Sequence, residues 1–195
     1  LIDKQTTILI LFVLCVTIAI CGCPLNYMQT PETVAQKEVI AGAGLTGTVV
    51  GDESHFVPIP GLWARKGITE RMDLGVYVFG VGLKLDIKHN FCKYFAIGFG
   101  GGASFAFDLL YTAEGSLYGG VPIGALCPYI VVRQHIIGNL TSNNHFFPLA
   151  TVGGMRVSIN RSIAMYFEDG VRFNDFEDNT VHPLGGIGIS ICGQK

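Results

Sequence analysis

The chain has 195 residues, 49% of them hydrophobic and only 14% charged, with 26 glycines. Soluble domains carry about 25% charged residues and about 7% Gly, so this composition excludes a disordered, collagenous or coiled-coil chain and points towards a membrane. The formal net charge of −2 leaves no basic footprint for nucleic acid.

In chain order, Lys4 precedes an apolar run from Ile8 to Ile20. A spanning helix needs roughly 18 or more apolar residues, and this run is shorter. Its length suits the apolar region of a secretory signal. The next residues are Ile20-Cys21-Gly22-Cys23. They resemble the bacterial lipobox, in which an aliphatic and a small residue precede an invariant Cys. The resemblance implies cleavage after residue 22 and acylation of Cys23. Residues 24–36 carry Pro24, Pro31 and several Gln, Thr and Glu. They read as a polar leader that tethers the anchor to the domain over 37–195. Cys92, Cys127 and Cys192 then remain, with no C-x-x-C and no zinc spacing, and read as small apolar side chains at strand ends.

From Lys37 to Ile191 glycine recurs every few residues, which helix interiors tolerate poorly. The apolar period is two. Leu83, Leu85 and Ile87 share one face, while Lys84, Asp86 and Lys88 share the other. Ile163, Met165 and Phe167 alternate in the same way, as do Ile187, Ile189 and Ile191. The pattern predicts ten strands over 37–50, 58–67, 72–80, 82–91, 94–107, 116–126, 128–137, 146–159, 162–174 and 182–191. Short turns mostly alternate with longer polar loops. About 15 residues per strand and connection fits tilted spanning strands of about 9–11 residues. Closure removes the sheet edges that lipid cannot satisfy. The expectation is an all-β, closed, antiparallel up-and-down transmembrane barrel of about ten strands, within a range of eight to twelve.

This pattern resembles the small outer-membrane β-barrels of Gram-negative bacteria, and the Gly-rich barrel lipoproteins among them. The resemblance implies an outer-membrane monomer with membrane lipid as its partner and both termini in the periplasm. The polar faces then line the lumen, placing Lys84, Asp86, Lys88, Arg156, Glu168 and Arg172 inside, with Arg133 as a further candidate. Enclosed charges must be paired or hydrated, so a network that fills the interior is expected. Phe91, Tyr94, Phe95, Tyr129, Phe146 and Phe147 sit near strand ends, as a membrane girdle would. Asp52, Glu53, Asp108, Glu114, Asp175, Glu177 and Asp178 fall in the proposed outer loops.

Other motifs carry less. Gly42-Ala43-Gly44-Leu45-Thr46-Gly47 matches G-x-G-x-x-G, but Thr48-Val49-Val50 continues a strand where a dinucleotide site needs a helix. No cofactor or metal is expected. Gly61-Leu62-Trp63, with Arg65 close behind, resembles the G-x-W signature of lipocalins. That resemblance implies an alternative, a lipid-tethered carrier of a small apolar ligand with its apolar faces inward. His55, His145 and His182 lie in proposed outer loops, near Ser54 and Asp178. They leave open a rim-sited enzyme acting on lipid or peptide, although general-base work needs partners within about 3 Å. The leading expectation is a non-enzymatic outer-membrane lipoprotein with a charged, filled lumen and a structural or loop-mediated binding role.

Overall fold

The computed structural model describes residues 28–50, 55–80, 82–105, 109–139, 145–173 and 181–193. Its strands are β1 (Val39–Val50), β2 (His55–Gly67), β3 (Met72–Phe79), β4 (Gly82–Cys92), β5 (Phe95–Phe105), β6 (Leu109–Gly120), β7 (Leu126–Asn139), β8 (His145–Phe146), β9 (Leu149–Ser158), β10 (Ile163–Phe173) and β11 (Val181–Gly193). Every neighbouring pair is antiparallel. The order runs β6-β5-β4-β3-β2-β1-β11-β10-β9-β7, and β6 pairs back onto β7. Ten staves therefore close on themselves. The two-residue β8 pairs only with the far end of β7, at Ile137 and Gly138. Followed once around, the registers return to β1 displaced by about twelve residues, a shear that tilts the staves by about 40°.

Val39 pairs with Gly193, so both ends of the barrel chain lie at one rim, here called the lower rim. The connections 68–71, 93–94, 121–125 and 159–162 close that rim. The other connections belong to the upper rim.

The sense of the alternation decides the solvent. Leu83, Leu85 and Ile87 are 47%, 52% and 38% exposed, while Lys84, Asp86 and Lys88 between them are at most 4% exposed. Leu62, Leu74, Val78, Phe99, Leu117, Ile130, Ile187 and Ile189 continue the apolar exterior. A lipocalin-like carrier would have these faces inward. The lipocalin reading is therefore corrected: Trp63 is buried, but in a cluster with Met28, Tyr77 and Tyr166, packed edge-on to Tyr166 at 6.0 Å.

Most expected strands coincide with observed ones to within a few residues. The sixth does not. It was expected over 116–126 and lies at Leu109–Gly120. Its inward residues Thr112, Glu114 and Ser116 are polar, and its outward residues Ala113 and Gly115 are too small to mark an apolar face. The real turn, Val121-Pro122-Ile123-Gly124-Ala125, is apolar enough to read as strand, with Gly124 supplying the positive φ of 61°. Glu114 is thereby moved from an outer loop into the barrel. Asp52, Glu53, Ser54, Asp108, Asp175, Glu177 and Asp178 lie outside the described residues. Gly42–Gly47 sits within β1.

Candidate functional site

Among the described residues, buried charged side chains cluster inside the barrel. Arg65 on β2 faces Asp73 and Tyr77 on β3 and Asp86 on β4. Its Nε donates to Asp73 Oδ1 at 2.9 Å, and its Nη2 contacts the same oxygen. Its Nη1 lies 2.7 Å from Asp86 Oδ1 and donates to the Tyr77 hydroxyl at 2.6 Å. Gly75 stands between Arg65 and Asp86 in register, and a Cβ there would lie 2.5 Å from Arg65 Nη1. Lys84 pairs with Glu114, which also faces His135 Nδ1 at 3.5 Å. Lys84 lies 4.0 Å from Asp86 Oδ2, joining the two halves of the network. Arg133 lies over the Tyr118 ring at 5.9 Å. Tyr129 donates to Glu168 Oε1 at 2.7 Å. Burial of such charges is tolerable only when they are paired and hydrogen-bonded, and most of these are.

The sequence-predicted lumen residues all lie on inward-facing positions. Lys84, Asp86, Lys88 and Glu168 are buried, while Arg156 and Arg172 are half-buried. The structure brings Lys84 and Asp86 into one network and holds Lys88 Nζ 3.6 Å from Asp73 Oδ2. Arg156 instead pairs with Glu32, Nη1 to Oε2, at 2.6 Å. Arg65, Asp73, Glu114 and His135 were missed as members. The signal for Arg65 and Asp73 was available: each lies two residues from an inward aromatic or glycine on a strand that alternates cleanly. Of the girdle residues, Phe91, Tyr94, Phe95, Phe146 and Phe147 are exposed, but Tyr129 is buried and points inward, sharing its face with Val131 and Arg133. Cys23 lies outside the described residues.

The second component of the interior is the chain's own N-terminal segment. Residues 28–34, part of the stretch read from sequence as a polar leader, lie inside the lower lumen. Lys88 Nζ donates to the carbonyl oxygens of Thr30 at 2.9 Å and Glu32 at 2.6 Å. The Val34 amide donates to Asp73 Oδ2 at 2.9 Å, and Asn90 Nδ2 donates to the Pro31 carbonyl at 3.1 Å. Gln29 Nε2 contacts the Tyr77 hydroxyl and Asp86 Oδ2. Met28, Gln29, Thr30, Pro31 and Val34 are all buried.

Two wall features match this segment in shape. Met28 lies against the inner faces of Gly44, Gly186 and Gly188, and a Cβ on Gly188 would come within 1.9 Å of its sulfur. Where the segment leaves the lumen, Lys37 takes a positive φ of 70° and its amide donates to the Gly67 carbonyl at 3.1 Å. A Cβ on Gly67 would stand 2.0 Å from the Ala35 carbonyl oxygen, so only glycine lets the two backbones meet. A cleft remains beside the segment, lined in part by Met28, Glu32, Trp63, Lys88, Arg156 and Tyr166.

The predicted rim histidines lie on three different strands. His145 lies exposed on β8, its Nε2 2.7 Å from the Tyr111 hydroxyl. His182 stands opposite Arg172 in the β10–β11 register, and His55 opens β2. Among the described residues, no group of three or more His, Cys, Asp or Glu side chains is arranged to hold a metal.

No known family profile matches the chain, and no curated protein matches it either. Solved structures resemble it in fold. The N-terminal β-barrel domain of Pseudomonas aeruginosa OprF is 10% identical, with 82% of this chain and 100% of that one covered and a TM-score of 0.43. A de novo designed transmembrane β-barrel is 11% identical over 83% and 99%, with a TM-score of 0.42. The outer membrane protein OprG of Pseudomonas aeruginosa is 9% identical over 86% and 100%, with a TM-score of 0.36.

Proposed function

We propose that this chain is an integral outer-membrane barrel whose lumen is closed by its own ion pairs and by residues 28–34, serving a structural or loop-mediated binding role without enzymatic chemistry. One observation carries the reading: the apolar faces of the staves point outward, and the ionic side chains are enclosed. Hydrocarbon is the solvent that makes such an exterior favourable, and a closed barrel leaves no unpaired edge in it. The even number of staves supports a periplasmic position for both termini. The Ile20-Cys21-Gly22-Cys23 stretch supports a lipid on Cys23.

The test is the full chain carrying Cys23→Ser, followed through alkaline carbonate washing of the membranes. The barrel is expected to stay with the membrane pellet. Release into the wash would overturn membrane integration. Planar-bilayer recordings of the wild-type chain are expected to show no steady open conductance, and a steady open level would overturn the closed lumen.

A further inference from the structure

The lower rim carries a concentration of exposed cations. Lys37, Lys66, Arg71, Lys93 and Arg161 are all exposed there, against Glu38 and Glu70. In barrel order these cations form a continuous arc: Arg161 in the β9–β10 turn, Lys37 before β1, Lys66 near the end of β2, Arg71 before β3 and Lys93 between β4 and β5. The arc stops at the β6–β7 turn, where Val121 and Ile123 are exposed instead. In the sequence, the remaining stretches between strands, 51–54, 80–81, 106–108, 140–148 and 174–180, contain Asp52, Glu53, Asp108, Asp175, Glu177 and Asp178 and no Lys or Arg.

Four of the five cations of the arc border the apolar exterior. Lys66 is flanked in register by Val39 and Leu74, which are 43% and 46% exposed. Arg71 shares its turn with exposed Ile68, and Arg161 shares its turn with exposed Ile159. Lys93 Nζ lies 4.8 Å from the centroid of the Tyr94 ring, beside exposed Phe95. Cations at this height stand where acyl chains give way to headgroups, and long basic side chains reach the phosphates while their stems stay against apolar surface.

We propose that this arc is a docking surface for the phosphate headgroups of anionic phospholipids in the leaflet at the lower rim. The proposal rests on the membrane reading above. Continuity of the arc with the lipid-facing band is what selects a headgroup over a soluble anion, because a soluble ligand has no reason to be recognised at the edge of a hydrocarbon belt.

The test uses the full chain reconstituted in vesicles of phosphatidylcholine with one third phosphatidylglycerol. Spin-labelled versions of each lipid report its relative association with the barrel perimeter. Phosphatidylglycerol is expected to associate several-fold more strongly than phosphatidylcholine at low salt, with the preference falling towards unity in high salt. Lys66→Gln/Arg71→Gln/Lys93→Gln is expected to lose most of the preference. These side chains are exposed, so the fold is kept, and the same variant with Glu replacing each cation is expected to reverse it. Equal association of both lipids with the wild-type chain would overturn the proposal, as would a preference that the Gln variant retains. Loss of the preference when chloride is replaced by inorganic phosphate at equal ionic strength would assign the arc to free anions and also overturn it. Absence of any perimeter-bound lipid signal would instead overturn the membrane reading itself.

Discussion

Asp73 is the carboxylate on which barrel wall and N-terminal segment converge. It is fully buried, accepts from Arg65 Nε and Nη2 and from the Val34 amide, and lies 3.6 Å from Lys88 Nζ. Asp73→Asn keeps the shape and removes the charge. The new amide can present its oxygen to Arg65, but its nitrogen then meets both the Val34 N–H and the Lys88 ammonium, donor against donor. One buried amide and one buried ammonium lose an acceptor. Each such loss costs about 1–3 kcal/mol, and breaking a buried ion pair costs about 3–5 kcal/mol. Lys88 keeps its two carbonyl partners, so a loss near the lower end, about 3 kcal/mol, is expected. With a urea dependence of about 2 kcal/mol per M, the unfolding midpoint in vesicles moves down by about 1.5 M. The segment should also become accessible to protease at concentrations of urea that leave the barrel folded. A midpoint within about 0.25 M of wild type, equivalent to about 0.5 kcal/mol, would refute the assignment of Asp73 as the hub.

Three further outcomes are expected. Met28→Ala and Gly188→Ala should each destabilise the seated segment by about 2–3 kcal/mol, one by emptying the glycine socket and the other by filling it. Their combination should cost less than the sum, read as urea midpoints in a double-mutant cycle. Asp169 faces outward between Gly153 and Gly185 on the apolar exterior, so Asp169→Leu should stabilise the barrel in vesicles by about 1 kcal/mol. Unchanged or lowered stability there would argue that this patch does not contact lipid. Arg156→Met should free the Glu32 carboxylate and speed proteolysis of residues 28–36 while leaving the barrel midpoint within about 1 kcal/mol, because this pair is half exposed.

Strand period and closure were legible without coordinates. Alternation of Leu83, Leu85 and Ile87 with Lys84, Asp86 and Lys88 determines which residues share a face, because side chains in a strand have a period of two. Low charge and abundant glycine turned that pattern towards hydrocarbon. The strand carrying Thr112, Glu114 and Ser116 was illegible for the same reason: polar residues inside and small ones outside give no apolar rhythm. His135 was overlooked because its run, Ile130 to Ile137, carries both apolar and polar residues on each face, which hides its parity.

Alternation alone cannot say which residues meet across a lumen. Arg65, Asp73 and Asp86 belong to three strands, and only the registers Arg65↔Gly75 and Gly75↔Asp86 bring them together, with glycine leaving the space between. The placement of residues 28–34 was likewise a tertiary outcome. A short stretch of Gln, Thr, Pro and Glu is equally at home in water and in a polar interior. Its position follows from Lys88, Asp73 and Asn90 offering partners for its backbone and from three glycines offering room for Met28, and none of these is near it in the chain.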